Sequence, residues 1–218
     1  MPSGLLVEPK QKRSKKSLDR MLEASTRQIE TGNFDAVSIA EIARLANCSV
    51  GTFYGRFQNK AALFHVVQEQ EFNKALNYID ERIDEFMRRS SLAPAPQSQT
   101  AAISFAIDLA TDFYVSKKGV FRAIFLHTRT QQDPALMQRV QQFNTAGMHA
   151  SFRILETTKP RPSADQKKQW REGLEIILVY IRETILFGDP VPTNKAQDFD
   201  AMKAVAVRML SAFLLEST

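Results

Sequence analysis

The side chains in this chain that are best suited to chemistry are lysines and arginines. Their types and spacing indicate a surface that binds phosphate. Arg44 and Arg56 carry guanidinium groups within a segment of two short predicted helices. Guanidinium and ammonium groups pair with phosphate oxygens, and arginine also reads guanine through two parallel hydrogen bonds. A basic cluster precedes this segment and consists of Lys10, Lys12, Arg13, Lys15, Lys16 and Arg20.

Positive charge is concentrated in the first quarter of the 218 residues. Residues 1–60 hold ten lysines and arginines against six acidic residues, whereas residues 61–218 hold nineteen against eighteen. A basic segment of this kind supplies the sequence-independent attraction on which DNA binding relies. Basic tails also serve for solubility alone, so charge by itself leaves both interpretations open.

The first short helix is marked by local signals at both ends. Ser38 is predicted to cap it, and Glu41 is predicted to reach back to the Ser38 amide and complete a capping box. Asn47 is predicted to end it, because asparagine tolerates the left-handed backbone of a tight turn. Its apolar residues share one face: Ile39, Ile42, Ala43 and Ala46.

The second short helix is predicted to be capped by Ser49. Its apolar face comprises Val50, Phe53, Tyr54 and Phe57, and its outward face comprises Gly51, Thr52, Gly55 and Arg56. Two such helices and a tight turn form a helix-turn-helix, whose second helix lies in the DNA major groove. The alternative is that both helices only build a helical core. Because Gly55 offers no side chain to a base, we expect backbone contacts and DNA shape to carry much of the specificity.

Signals for catalysis are sparse. The chain has one cysteine, Cys48, and three scattered histidines: His65, His127 and His149. It has no glycine-rich phosphate loop and no nucleophile elbow. Asp108 and Asp112 share one helix face at a spacing that suits a metal or an acid–base pair, and also suits an ordinary solvated face. We therefore expect a protein that is not an enzyme, with no catalytic residue, no metal site and no cofactor.

The compartment is predicted from cysteine usage and hydropathy. A single cysteine excludes an internal disulfide and fits a reducing cytoplasm. No segment reaches the roughly 18 apolar residues of a membrane span, and the basic N-terminus lacks the apolar run of a signal peptide. We expect a bacterial cytoplasmic protein that lies at the nucleoid when bound to DNA, without a membrane partner.

The remainder of the chain is predicted to be helical. No run in residues 61–218 alternates with period two, whereas helical stripes recur. Asn59 is predicted to cap a long helix, and Asp133 to cap another that has Pro134 at its first position. Ser163 and Gln166 are predicted to form a capping box. The helices are expected at about 60–89, 101–116, 120–127, from 134, 164–187 and from about 195 to the C-terminus, with a proline-containing loop at 90–100.

The last two helices are apolar on more than one side. Residues 176–181 read Ile-Ile-Leu-Val-Tyr-Ile, and a helix of that kind must be covered on several faces. This pattern predicts a four-helix packing with a second copy of the chain, the alternative being an internal core helix. The predicted interface comprises Trp170, Leu174, Ile177, Leu178, Ile181, Met202, Val205, Met209 and Phe213.

Residues 18–63 resemble the DNA-binding domain of the TetR (tetracycline-repressor) family of bacterial transcription regulators. The likeness rests on Ala24, Gly32, Phe34, Ile39–Ala43, Ser49–Tyr54, Phe57 and Lys60, with Asn47 and Cys48 as mild departures. It implies an all-α fold of about nine helices. The expected parts are a basic arm at 1–14, a three-helix DNA-binding domain at 15–60, and a larger ligand-binding and dimerisation domain at 61–218.

The resemblance also implies roles for individual residues. Thr52 matches a position that meets base edges or phosphate, the Tyr54 ring is expected to pack inward with its hydroxyl on a phosphate, and Lys60 matches a phosphate-binding lysine. The full predicted DNA-contact set is Lys15, Ser38, Arg44, Ser49, Gly51, Thr52, Tyr54, Arg56 and Lys60.

An effector site is implied by the resemblance as well. The predicted lining is Phe86, Phe105, Phe113, Tyr114, Phe125, His127, Phe143 and Tyr180, and fifteen phenylalanines fit an apolar or aromatic ligand. The expected function is that of a repressor. It would bind a pseudo-palindromic double-stranded operator as a homodimer and be released by a small molecule. An activator and a non-specific architectural DNA binder are the alternatives.

Overall fold

The computed structural model describes residues 12–32, 34–92, 98–158, 162–188 and 198–215. Within these ranges the chain is all-α, as predicted, and no described residue lies in a strand. None of the described helices combines the length and the apolar character that a membrane crossing requires. The described helices are α1 (Lys12–Glu30), α2 (Ile39–Leu45), α3 (Val50–Tyr54), α4 (Lys60–Leu92), α5 (Gln99–Ser116), α6 (Lys118–Gln131), α7 (Pro134–Glu156), α8 (Ala164–Phe187) and α9 (Phe199–Leu215).

Four predicted caps are present. The side chains of Ser49 and Asn59 accept hydrogen bonds from backbone amides at the starts of α3 and α4. Asp133 accepts from two amides of α7, whose first residue is Pro134. Ser163 forms the predicted reciprocal box with Gln166 at the start of α8. Local sequence signals therefore define these helix starts.

Other boundaries differ from the predictions. The α2 helix ends at Leu45, and Asn47 follows it with the predicted positive φ, of 50°. The α6 helix extends beyond the predicted 120–127 at both ends, and Asp198 caps α9 shortly after the predicted start. The N-terminal arm with Lys10, the prolines at 94 and 96, and the predicted break at 189–192 lie outside the described residues.

The packing divides the chain into two compact units. Unit one comprises Met1–Lys74 and Gly119–Arg139, and unit two comprises Ala75–Lys118 and Val140–Thr218. The sequence did not indicate that α6 groups with the N-terminal helices. The domain boundary predicted after residue 60 therefore differs from this division and stays a prediction.

The core of unit one is built on α1 and the helix-turn-helix. Met21 and Ile29 of α1, Phe53 of α3, and Phe57 just after it are fully buried. From α6, Phe121 meets Phe72 of α4 with ring centroids 5.7 Å apart. The α6 backbone also approaches the end of α1 closely. A methyl group added to Gly119 would lie 2.6 Å from the Glu30 carbonyl oxygen.

Unit two has α5, α8 and α9 packed on one another. The crossing of α8 and α9 is tight, because a methyl group on Gly173 would lie 3.1 Å from Leu210 Cδ1. On the surface, Lys203 Nζ lies 3.0 Å from Asp108 and 3.3 Å from Asp112. The two carboxylates considered as a metal or acid–base pair are thus joined to a lysine, which explains their spacing as a structural ion bridge.

Candidate functional site

Hydrogen bonds between residues close in sequence hold the turn of the helix-turn-helix. The Ser49 hydroxyl accepts from the Thr52 amide at 3.1 Å and also contacts the Thr52 hydroxyl at 2.9 Å. The amide of Cys48 donates to the Ala43 carbonyl at 2.9 Å, which closes the reversal after α2. The turn is therefore preset before any ligand arrives.

The outward surface of α3 is wider than the sequence indicated. Gly51 and Gly55 are exposed, as predicted. The Tyr54 side chain is 57% exposed and touches Phe53 only edge-on, so the prediction that its ring packs inward is wrong. Val50 is also exposed. On a helix of five residues the single Phe53, followed by Phe57, suffices to anchor the element, and its neighbours on either side remain at the surface.

Arg44 is paired with Glu41 on the surface of α2. Its guanidinium donates from Nε and Nη2 to the two carboxylate oxygens at 2.8 and 2.7 Å. This hydrogen bonding lowers the pKa of Glu41 and raises that of Arg44. The capping box predicted for Glu41 is only half formed, since Ser38 accepts from the Glu41 amide while the carboxylate turns to Arg44. Arg44 is thus exposed on α2 with Glu41 as its partner.

Lys60 occupies a different environment from the one predicted. Its ammonium donates to the carbonyl oxygens of Phe34, Asp35 and Val37 at 2.7, 2.8 and 3.0 Å. It also lies 5.2 Å from the centroid of the Phe34 ring. An ammonium has three N–H donors, so these carbonyls use all of them.

The remaining predicted DNA contacts lie in unit one. Lys15 and Lys16 are exposed on the first turns of α1, and because α1 begins at Lys12, residues 12–14 of the predicted basic arm are helical. Arg56 and Thr52 are half-buried, and Ser38 and Ser49 are exposed at the starts of α2 and α3. The described part of the basic cluster and the outward face of α3 therefore belong to the same compact unit.

Cys48 lies half-buried in the turn of the helix-turn-helix. Burial raises the pKa of its thiol, and the nearby Arg20 and a hydrogen bond with Ser17 oppose that shift only in part. A thiol with a raised pKa is a poor nucleophile at neutral pH, so this residue acts as a small packing element. In the described ranges, no group of three or more histidine, cysteine, aspartate or glutamate side chains is arranged to hold a metal ion.

Unit two contains a cavity of about 390 Å³. Side chains from α4, α5, α7 and α8 line it, and most of them are apolar. A volume of this size suits a small organic molecule. The apolar part of the lining is Ile79, Ala106, Leu109, Ala110, Phe113, Phe143, Gly147, Met148, Ala150, Ile154, Leu178 and Val179.

Three of the eight predicted ligand residues line this cavity: Phe113, Tyr114 and Phe143. Phe86 and Phe105 stack on each other instead, with centroids 4.2 Å apart, and neither lines it. Tyr180 is also absent from the lining. Phe125 and His127 lie in unit one, where Phe125 is buried beside Phe121. Aromatic count alone did not separate ligand contacts from core.

Polar side chains on α5, α7 and α8 also line the cavity. Arg182 Nη1 donates to Asn144 Oδ1 at 3.3 Å, and its Nε donates to Glu183 at 3.1 Å. Tyr114 is buried there, and burial raises the pKa of its phenol to about 12, so it stays protonated at neutral pH. Neither Arg182 nor Asn144 was among the predicted ligand residues, although a charged residue directly after the apolar run of α8 was a usable signal.

The predicted dimer residues divide into two groups. Leu178, Val205, Met209 and Phe213 are partly or fully accessible on α8 and α9. The other five are buried inside unit two, where α5, α8 and α9 pack on one another and Phe152 of α7 contacts Trp170: Trp170, Leu174, Ile177, Ile181 and Met202. Those five are core residues, which corrects their prediction as interface. An apolar surface remains, on which Ile176 and Val179 of α8 are 48% and 46% exposed.

Comparison with known proteins agrees with this geometry. Residues 21–67 match the model of the family described as bacterial regulatory proteins, tetR family. The match spans α1 to the first part of α4, including the helix-turn-helix. Residues 21–67 form a tetR-family domain. The predicted resemblance to that family is confirmed for this part of the chain. Residues 21–67 contain a helix-turn-helix of the kind found in DNA-binding transcription regulators.

Solved structures show a similarity of fold over nearly the full length of this chain. A TetR-family transcriptional regulator from Mesorhizobium loti MAFF303099 aligns with a TM-score of 0.69 and 17% identity, covering 94% of this chain and 98% of that one. A transcriptional regulator of the TerR/AcrR family from Aquifex aeolicus VF5 aligns with a TM-score of 0.59 and 17% identity over 90% and 98% of the two chains.

A TetR transcriptional regulator from Rhodococcus sp. RHA1 gives a TM-score of 0.53 at 15% identity, with 95% and 100% coverage. At these identities the likeness shows the fold of a TetR-type regulator. All three are described as transcriptional regulators. A comparison with curated protein sequences gave no significant match.

Proposed function

We propose that this chain is a TetR-type repressor that binds a pseudo-palindromic DNA operator as a homodimer and is released by a small molecule. The observation that carries the DNA-binding part is the surface of α3. Its exposed residues include two glycines, Gly51 and Gly55, and the phenol of Tyr54. At the two glycines the α3 backbone can approach a groove closely, while the phenol and Arg44 supply polar contacts.

The cavity of unit two supports the effector part of the proposal. Its apolar lining favours an effector with an aromatic or aliphatic body, in line with the sequence-based expectation. The hydrogen-bonding groups of Arg182, Asn144 and Tyr114 favour a polar group at one end of that molecule. Ile79 of the cavity and Lys60 of unit one lie on the same helix, α4. An effector that binds the DNA-incompetent state more tightly would then lower DNA affinity.

The first experiment measures DNA binding by fluorescence anisotropy. The probe is the intergenic DNA beside the gene of this chain, and a scrambled duplex of equal length is the control. Tight binding to the native fragment alone, with two chains per site and weakening with salt, supports the proposal. Equal affinity for both duplexes favours an architectural binder. If the gene under that promoter is transcribed more strongly with the protein present, the activator alternative replaces repression.

Two variants test how the operator is read. Gly55→Ala is expected to lower operator affinity about tenfold, the equivalent of ~1.4 kcal/mol, because a methyl group separates the α3 backbone from the groove. Its fold is expected to persist, since the nearest neighbour of that methyl group is the Gly51 carbonyl oxygen at 3.4 Å. Gly147→Ala, in unit two, is the control. An unchanged affinity for Gly55→Ala, together with relaxed base preference in Arg44→Ala, would favour side-chain readout instead.

A further variant tests the cavity. The fluorescent probe is 1-anilinonaphthalene-8-sulfonate, which has an apolar aromatic body and one polar group. Gly147 lines the cavity, and a methyl group added there would have no neighbour within 4 Å. Gly147→Leu is therefore expected to fill the space and to abolish saturable probe binding without lowering DNA affinity. Retained probe binding at the same affinity would place the ligand site elsewhere.

A further inference from the structure

The connection between α1 and α2 is fixed by one side chain from α4. Residues 34–37 are turns and bends without a regular hydrogen-bonding pattern, yet they lead directly into Ser38, the cap of α2. The carbonyls of Phe34, Asp35 and Val37 all accept from the Lys60 ammonium, at 2.7, 2.8 and 3.0 Å. One cation therefore satisfies three of the four backbone carbonyls of residues 34–37.

The Lys60 ammonium also makes a contact with an aromatic ring. It lies 5.2 Å from the centroid of the Phe34 ring, which is buried. That ring packs on Phe64, one turn further along α4, with centroids 5.3 Å apart. The cation–π contact adds to the three hydrogen bonds and restrains the same segment. Lys60 is consequently half-buried and directed into unit one.

A phosphate ligand would need the same donors. An ammonium has three N–H groups, and a phosphate could bond with Lys60 only by displacing one of the three carbonyls. The carbonyls of Phe34 and Val37 accept in partly buried sites, where losing a partner is unfavourable, whereas the Asp35 carbonyl is exposed and would be displaced most easily. The geometry therefore opposes the phosphate-binding role that the family resemblance implied for Lys60.

We propose that Lys60 is a positioning residue that fixes the α1–α2 connection, and with it the start of the helix-turn-helix, without binding phosphate. Through Val37 it sets the backbone just before Ser38, which caps α2 through the Glu41 amide and accepts the first helical bond from the Ile42 amide at 3.0 Å. The role for DNA affinity rests on the proposed function, whereas the structural role is a property of the free chain.

Hydrogen exchange in the free, full-length protein tests the structural role. The amides of Glu41 and Ile42 both donate to Ser38, so their exchange reports how firmly Ser38 is held. In Lys60→Met, we expect both amides to exchange at least about tenfold faster at unchanged helix content. The control is Lys15→Met, which removes an exposed lysine of α1 and should leave these amides unchanged. Wild-type exchange rates in Lys60→Met would overturn the proposal.

Lys60→Arg keeps the positive charge and tests the positioning role if Lys60→Met fails to fold. A guanidinium is a planar fork and cannot direct three donors from one nitrogen at three converging carbonyls. We expect Lys60→Arg to leave the Glu41 and Ile42 amides at least about threefold less protected than in the wild type. Full protection in this variant would show that charge alone suffices and would overturn the proposal.

The salt dependence of DNA binding separates positioning from phosphate contact. The probe is a 30-base-pair duplex of randomised sequence, so no operator is required. Loss of a phosphate contact lowers the slope of log affinity against log salt by about 0.9. We expect Lys15→Met to show such a decrease, and Lys60→Met to weaken binding with the slope unchanged. A slope lowered in Lys60→Met with normal Glu41 and Ile42 exchange would overturn the proposal.

The DNA-binding and hydrogen-exchange experiments test the proposed function and the positioning role of Lys60 separately. If the wild-type chain binds neither the randomised duplex nor its own upstream DNA, the proposed function fails, and hydrogen exchange still decides the role of Lys60. If the wild type binds DNA and Lys60→Met retains both its exchange rates and its affinity, the proposed function stands and the positioning role is refuted.

Discussion

Arg44 carries its own counter-ion at the surface where DNA would bind. The guanidinium forms a bidentate contact with the Glu41 carboxylate of the preceding turn. An exposed ion pair contributes little to stability, so a phosphate or a guanine would compete readily for the same donors. The carboxylate left behind would then repel nearby phosphates.

His127 ends a line of aromatic contacts in unit one. Its ring lies 4.2 Å from that of Phe64, which packs on Phe34. Burial lowers the pKa of His127 below 6.5, with the neighbouring His65 acting in the same direction and Asp35 and Asp133 opposing it. The folded state therefore favours the neutral imidazole.

This pKa shift predicts an acid sensitivity. As the pH falls below about 6.5, the unfolded chain takes up a proton at His127 before the folded chain does, so stability declines until the pH passes the lowered folded value. Thermal unfolding measured between pH 7.5 and 5 should show this decline, and His127→Gln should flatten it.

The control for this experiment is His149→Gln, which removes an exposed imidazole of α7. The contribution of Asp133 to stability changes in a different, more acidic pH range. Its pKa is lowered from 3.8, burial being opposed by bonds from the Ala135 and Leu136 amides and by His65, so its contribution is lost only below that pH. An equal decline in wild type and His127→Gln between pH 6.5 and 5 would contradict the assignment.

At the scale of elements, the contact between α6 and α1 depends on a residue without a side chain. A methyl group on Gly119 would meet the Glu30 backbone, with the carbonyl oxygen at 2.6 Å and Cα at 3.1 Å. Backbone atoms of a packed helix cannot move aside as a flexible side chain does. Gly119→Ala is therefore expected to destabilise the protein by about 1–3 kcal/mol through overpacking.

Urea unfolding with Gly147→Ala as the matched control measures this effect. Gly147 is also helical, but an added methyl group there has no neighbour within 4 Å. Its replacement should stabilise the protein by roughly 0.5–1 kcal/mol through helix propensity. If both variants shift the unfolding midpoint upward, the close approach of α6 to α1 is not part of the folded structure.

Features that depend on neighbours in sequence could be predicted, and features that depend on packing could not. The caps at Ser49, Asn59, Asp133 and Ser163 are local, and all four are present. Glu41 had two local partners, the Ser38 amide and the Arg44 side chain, and no local rule chooses between them.

Candidate sites were harder to predict because apolar periodicity indicates a buried face without showing what covers it. Trp170 and Ile177 were predicted at a dimer interface, but both are buried within the chain, and the Trp170 ring lies 5.9 Å from that of Phe152 on α7. Of the eight predicted ligand residues, Phe113, Tyr114 and Phe143 line the cavity. Arg182 also lines it but was not predicted, because aromatic residues and a histidine were taken as candidates.

At the scale of the whole molecule, the apolar surface left on α8 and α9 predicts self-association. Ile176 and Tyr180 lie one turn apart on α8, and Val205, Met209 and Phe213 follow one another by one turn on α9. A second copy of the chain would cover both stripes in a four-helix packing. We expect Met209→Glu to produce a monomer, because the charge would be buried in the interface.

Light scattering after size-exclusion chromatography measures the mass of each variant. Met137→Glu is the matched control, since Met137 is 53% exposed on α7 and Met209 is 41% exposed on α9. The control should remain dimeric. A monomeric wild type, or dimers in both variants, would rule out α8 and α9 as the interface. Monomeric Met209→Glu should also lose affinity for a two-fold operator.

The discontinuous composition of unit one limits how this protein can be divided or recombined. The family match ends at residue 67, yet the unit that contains it also requires residues 119–139 from the middle of the chain. A fragment ending near residue 74 would expose Phe72 and lose Phe121, its fully buried partner. Transplanting the DNA specificity of this chain onto another regulator therefore requires moving two separate stretches of sequence, of which only the first looks like a DNA-binding domain.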